Sequence, residues 1–224
     1  MMLTRWLLLG MVVVTLSGCG HSRYIYTPGQ THVVRGGETL SAIAFRYGKD
    51  HRELAHWNGL GDGSLIYPGQ VIRLTPPAGG AVSTGTLRRS PPPKPVQPRN
   101  DAVPQWAWPT AGRIVGEFGG ESGSGAGVSI AGRRGQPVRA AASGRVVYSG
   151  GLIGYGQLII VQHNDTYLSA YGHNASLLVK EGQNIKQGQS IATMGEGAGQ
   201  APRLHFEIRR NGKPVDPLQF LPAN

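Results

Sequence analysis

Cysteine is almost absent. Cys19 is the only one in 224 residues, so no disulfide forms within the chain. Long apolar runs are missing too. The run Trp6–Leu16 (WLLLGMVVVTL) has 11 residues, against the ~20 needed to span a bilayer as a helix. Acidic residues are scarce, 12 against 22 Lys and Arg, which leaves a formal net charge of +10. That excess is spread along the chain with no dense basic block. Gly and Pro, by contrast, are abundant at 35 and 16 residues. Together they make up about 23% of the chain against a usual ~12%, which excludes a helical bundle or coiled coil. There is no Gly-X-Y period, which excludes collagen. Aromatic and β-branched residues are frequent enough to exclude wholesale disorder. Small β-rich units with many turns are what remains.

The N-terminus reads as an export signal over residues 1–18. Arg5 supplies the positive end and Trp6–Leu16 the apolar core. Leu16-Ser17-Gly18-Cys19 follows directly and matches the bacterial lipobox, which makes Cys19 the lipid attachment site. Several acyl chains at ~0.8 kcal/mol per buried CH₂ anchor a protein firmly. Gly20 stands where an Asp would resemble an inner-membrane retention signal. The expected location is the outer membrane, lipid-anchored and facing the periplasm, with residues 19–30 as a tether. Export argues against nucleic acid as the partner of the positive charge and favours an anionic polymer such as peptidoglycan, or an acidic protein.

Residues 76–105 hold eight of the 16 prolines and show no hydrophobic period. They read as a Pro-rich linker at ~3 Å per residue where extended. The linker separates a unit at 31–75 from one at 106–224. In the first, Thr31–Arg35 reads as a strand. Leu40, Ile43, Ala44 and Tyr47 share a helix face that Gly48 closes. Asp50 caps a second helix, with Glu53 three residues on and Gly59 at its end. Tyr67-Pro68-Gly69 makes a turn into a strand at Val71–Leu74. The order is β-α-α-β, a small α+β unit.

HVVRGGETLSAIAFRYG, WNGL and IYPGQVIRL together resemble a LysM domain. The resemblance implies binding to the glycan strands of peptidoglycan through two loops. Here these are Gly36, Gly37, Glu38, Thr39 and Leu40, and Leu65, Ile66, Tyr67 and Pro68.

The second unit reads as all-β. Short apolar runs at 114–115, 145–148, 158–161, 167–171, 190–194 and 204–208 are separated by Gly-rich turns. WPTAGRIVGEFG, GYGQLIIVQHND, YLSAYGHN and RLHFEIRRNGKPVDPLQFL resemble a LytM domain, the lysostaphin-like zinc endopeptidase fold. Active members carry His-x-Gly-x-Asp, a later His after a Tyr-x pair, and His-x-His. The first window falls on Gly125 to Ser129, so both of its zinc ligands are replaced. The second falls on Tyr171-Gly172-His173 and is kept. The third falls on Arg203-Leu204-His205, where the catalytic His is Arg and the ligand is kept. A catalytic zinc needs about three protein ligands and an open position. The resemblance therefore implies a degenerate domain that is not an enzyme, with no catalytic residue, no metal and no cofactor.

LysM followed by degenerate LytM on a lipoprotein resembles the NlpD family of murein-hydrolase activators. This implies a periplasmic zinc N-acetylmuramoyl-L-alanine amidase as partner, in cell-wall cleavage at cell division. Ser129, Tyr155, His173, Arg203 and His205 are the expected lining of the amidase-binding groove. Two other readings compete. One is a structural tether between outer membrane and wall. The other is an active endopeptidase that recruits His163 or Glu207.

Overall fold

The computed structural model describes residues 31–61, 65–77, 101–120, 125–197 and 201–223. The export and lipidation segment with Cys19, and residues 78–100 of the Pro-rich stretch, lie outside the described residues.

The first unit pairs strand β1 (Thr31–Val33) antiparallel with β2 (Val71–Arg73), His32 opposite Ile72. β1 is shorter than the apolar pattern suggests. The Arg35 N–H donates to the Glu38 carboxylate at 2.9 Å, which turns the chain out of the ladder. Helix α1 (Leu40–Arg46) starts at Thr39, whose hydroxyl accepts the Ala42 N–H at 3.1 Å. It ends before Gly48, where φ is 63°. Helix α2 (His51–Trp57) starts at Asp50, whose carboxylate accepts the N–H groups of Arg52 and Glu53. Leu40, Ile43, Ala44, Leu54, Ile72 and Leu74 form this unit's core, as the helical spacing demands. Asn58 closes it. Its amide bonds the Leu54 and Arg73 carbonyls at 2.8 Å and accepts the Arg73 N–H at 2.7 Å.

The second unit is one antiparallel sheet folded on itself. Its strands are β3 (Ile114–Gly116), β4 (Val128–Ala131), β5 (Pro137–Arg139), β6 (Gly144–Leu152), β7 (Gly156–Gln162) and β8 (Tyr167–Leu177). Then come β9 (Asn184–Ile185), β10 (Ser190–Met194), β11 (Arg203–Arg210) and β12 (Lys213–Val215). The main order is β3-β4-β11-β8-β7-β6-β9, with β10 pairing β5 and β8, and β12 pairing β11. The core holds Val128, Ile130, Val146, Ile159, Val161, Tyr171, Leu204, Phe206 and Ile208. β4, β5, β9 and β12 are short strands that lie outside the apolar runs. β11 is buried on both faces. Strand alternation sends Leu204, Phe206 and Ile208 into the core and Arg203, His205, Glu207 and Arg209 to the opposite face.

The two units touch, although the sequence between them is long enough to hold them apart. Ala42 and Phe45 of α1 share a buried cluster with Tyr148, Leu152, Tyr155, Leu158, Ile160 and Ala170. Arg52 pairs with Asp165 at 3.2 Å across the contact.

His163 is a structural residue. Its ring meets Trp106 edge-on with centroids 4.9 Å apart. Nδ1 bonds the Ser143 carbonyl at 2.8 Å and Nε2 the Ser169 hydroxyl at 2.7 Å. Ser169 in turn meets the Tyr171 hydroxyl, which accepts the Ala141 N–H. Burial pulls the imidazole down from 6.5 to about 4, against the Ser143 carbonyl, which favours the charged form. The unfolded chain takes up this proton near 6.5 and the folded chain resists it. The resulting stability is therefore complete above that pH and is lost as pH falls toward about 4. We expect urea unfolding to show up to about 3 kcal/mol less stability at the acid end of that window, with a shallower slope in His163→Gln. His173 is depressed to a similar value and will account for part of the remaining slope.

Candidate functional site

The site is built on the middle of β11. His205 stands opposite Ser129 of β4 on one side and Gly172 of β8 on the other. Directly opposed residues project from the same face, so Ser129 and His205 share a floor. Ser129 is only 5% exposed and His205 only 4%. Two glycines set the approach. A Cβ at Gly127 would lie 2.2 Å from the Phe206 carbonyl oxygen, so only glycine lets the 125–129 segment lie against β11. A Cβ at Gly172 would crowd the Tyr155 carbonyl at 3.2 Å and the His205 Cβ at 3.5 Å.

His173 sits where the pairing of β8 becomes irregular, and its φ is 60°. A non-glycine residue held there costs of order 1–3 kcal/mol and points its side chain away from the regular alternation. The ring turns over the floor, its centroid 6.0 Å from that of His205. Burial, then His205, then Arg203 lower its pKa to about 4, so it is neutral near pH 7. Arg203 lies with its stem over the Gly197 backbone, where a Cβ would sit 2.6 Å from its Cγ.

Beneath this floor runs a buried polar relay. His205 Nε2 bonds Glu207 Oε1 at 2.8 Å. Glu207 Oε2 accepts from Arg209 Nε at 2.8 Å, and a second guanidinium nitrogen lies at the same distance. Burial pushes Glu207 up, but the Arg209 charge and the His205 bond outweigh it and hold the carboxyl below its ordinary range. An ionised carboxylate only accepts, so His205 Nε2 carries a proton and donates it to Glu207. Among the described residues, no three His, Cys, Asp or Glu side chains converge as a metal-ligand set. Gly125 has no side chain to offer.

Of the five expected groove residues, the fold brings Ser129, His173, Arg203 and His205 together. Tyr155 is different. It is 9% exposed, with its ring against His205 on one side and Phe45 on the other, and so it is a wall behind the floor. The glycan loops also divide. Gly36, Gly37, Leu65, Tyr67 and Pro68 are exposed and Ile66 is partly so. Leu40 is a core residue at 3% exposure, and Thr39 is the α1 cap. Glu38 is engaged by His32 at 2.6 Å and Arg46 at 2.8 Å.

Arg209 and Phe45 carry the site without being expected in it, and Glu207, expected only as a ligand in the endopeptidase reading, serves instead as a buried bridge between His205 and Arg209. Their signals are present but faint: opposite charges two apart on the polar face of a strand, and a Phe off the stripe 40/43/44/47.

Residues 32–75 match the LysM domain model and residues 123–217 the model of Peptidase family M23. The chain is 44% identical to the Lipoprotein NlpD/LppB homolog of Pseudomonas aeruginosa, over 95% of this chain and 84% of that protein. It is 36% identical to the murein hydrolase activator NlpD of Salmonella typhimurium, over 88% of this chain and 69% of that protein. It is 37% identical to the Uncharacterized lipoprotein YgeR of Escherichia coli, over 94% and 90%.

Removing one partner of a buried ion pair strands the other charge, at a cost of about 3–5 kcal/mol, whereas replacing both by apolar residues is often near neutral. Glu207→Ala should therefore lower the urea midpoint far more than the double change Glu207→Leu with Arg209→Met. Equal losses would show that the pair is not desolvated in solution.

Proposed function

Because the chain belongs to the NlpD/LppB family of lipoproteins with LysM and M23 domains, we propose that it activates a periplasmic zinc N-acetylmuramoyl-L-alanine amidase while bound to peptidoglycan. The anchor is acylated Cys19 in the outer membrane, and the chain faces the periplasm. The units are residues 31–75 and 106–224, joined by 76–105. Gly36, Gly37, Leu65, Tyr67 and Pro68, with Ile66 behind them, offer the sugar an open edge of backbone and apolar surface. A single LysM copy binds weakly, and tethering to the membrane raises its effective concentration at the wall.

The M23 unit is not a peptidase on this reading. The observation that carries it is the composition of the floor. The three ligand positions of an M23 zinc fall on Gly125, Ser129 and His205, and His205 Nε2 is committed to Glu207. One imidazole, one nearly buried hydroxyl and a bare backbone do not fit a catalytic zinc, which takes about three protein ligands. Glu207 is no substitute, because both of its oxygens are spent on His205 and Arg209.

What remains is a shallow polar groove with a cationic rim. Arg203 offers a planar fork suited to a carboxylate, and the neutral His173 adds a donor and an acceptor without further charge. The groove holds the regulatory segment of an autoinhibited amidase and so favours the amidase's open state. Moving such an enzyme from ~1% to ~99% active takes about 5.5 kcal/mol of preference for that state.

The test is release of dye from labelled peptidoglycan by the mature chain carrying Cys19→Ser. It is run alone and with each periplasmic amidase of the same cell, with and without chelator. The expected result is silence alone and stimulation of an amidase. Chelator-sensitive release by the chain alone would overturn the non-catalytic reading. Two variants separate the surfaces. Arg203→Glu should abolish stimulation while the chain still pellets with peptidoglycan. Tyr67→Ala should weaken pelleting and leave stimulation in free solution intact.

A further inference from the structure

Helix α1 has two buried faces. Leu40, Ile43 and Ala44 fill the core of its own unit. Ala42 and Phe45 face the other way, into the cluster shared with β6, β7 and β8. Phe45 is 2% exposed and packs in the shared cluster, not in the LysM core. The mating face is equally apolar. Leu158, Ile160 and Ala170 are fully buried on the side of the sheet away from the main core. Apart, the two units would present both surfaces to water, so the hydrophobic effect favours contact.

The contact leads directly to the groove. The Phe45 ring meets Tyr155 edge-on, centroids 5.3 Å apart. The Arg209 guanidinium carbon lies 3.4 Å from the centre of the Phe45 ring. An Arg209 N–H also donates to the Phe45 carbonyl, in the last turn of α1, where carbonyls lack helical partners and a cation suits the helix dipole. Another Arg209 N–H reaches the Tyr155 hydroxyl at 3.3 Å. From there both paths end on the floor. Arg209 holds Glu207, which holds His205. Tyr155 lies against the His205 ring at 5.6 Å, and its carbonyl accepts the His173 N–H at 2.8 Å.

The rim of the contact is close-fitting. Thr39, the α1 cap, donates its hydroxyl to the Val147 carbonyl at 3.5 Å. Gly212, in the turn after β11, has φ 74° and approaches Lys49 so closely that a Cβ would lie 2.4 Å from the Lys49 carbonyl carbon. Leu65 and Tyr67 stay 63% and 59% exposed, so docking leaves the sugar-facing edge open.

We propose that the LysM unit is a working part of the groove: docked on the M23 unit, Phe45 positions Tyr155 and Arg209, and through them His205 and His173. The groove has its binding shape only while the units are docked. Glycan and amidase are then held at once, at a fixed separation, on one rigid body. This rests on the reading of the groove as the amidase-docking surface.

The experiment uses the mature chain with Cys19→Ser, ¹⁵N-labelled, and two variants. Phe45→Ala removes the positioning ring and leaves the LysM core intact. Gly212→Asn is a wedge; Asn tolerates positive φ, and its Cβ collides with the Lys49 backbone. It touches neither the groove nor the LysM core. In the parent chain, amides of residues 31–75 should share one tumbling time with those of 125–223. In both variants that common time should be lost, and the His173 and His205 imidazole signals should move while that of His56 stays. Amidase stimulation should fall about tenfold or more, a size that truncating a buried Phe contact readily reaches, with pelleting on peptidoglycan unchanged.

Faster tumbling of 31–75 in the parent chain would overturn docking. A tumbling time that climbs with concentration to that of a dimer would overturn docking within one chain. Loss of docking with unmoved imidazole signals and full stimulation would overturn the positioning role. If the parent chain stimulates no amidase, the groove reading fails by itself, and the relaxation and imidazole results still decide the positioning claim.

Discussion

The Glu207–Arg209 pair is the interaction on which the rest of the second unit depends. Both side chains are buried, so neither can lose its partner cheaply. Such a pair persists only when its remaining hydrogen-bonding capacity is met. Here it is. Glu207 spends its second oxygen on His205, and Arg209 spends its other donors on the Tyr155 hydroxyl and the Phe45 carbonyl. Lysine could not replace Arg209, because one ammonium lacks the planar fork that reaches three partners in different directions. The pair thus joins a histidine on the groove floor to a helix of the neighbouring unit.

That link holds the side chains around His205 in place. In a metal site the ion itself helps hold ligands in place. Here covalent geometry and buried hydrogen bonds do so. Gly127 lets the 125–129 segment lie against β11, the strained backbone of His173 aims its ring inward, and Glu207 fixes the orientation of the His205 ring. A surface held this way suits recognition of a protein segment, because little ordering is left to occur on binding.

Much of this chain was legible from one-dimensional pattern. The LysM helices follow the 40/43/44/47 stripe and begin at Thr39 and Asp50, where short polar side chains can take up free backbone N–H groups. The long strands follow their apolar runs. The resemblance to LytM domains drew attention to Ser129, His173, Arg203 and His205, which the fold brings together around β11. Less legible were β4, β5, β9 and β12, short strands without an apolar run to mark them. Of these, β4 carries Ser129. Leu40 belongs to the core of its unit, because the helix face it starts points inward.

The amino-acid sequence by itself determined the two modules, with their helix caps and long strands. Each of these is a local property of residue type and spacing. Only the tertiary structure decided that Tyr155 is a wall and not a lining, that Glu207 and Arg209 form a relay, and that Phe45 reaches the groove from the other module. Those facts depend on contacts between residues as far apart as 45 and 209, and no local period encodes which surface a distant side chain will meet.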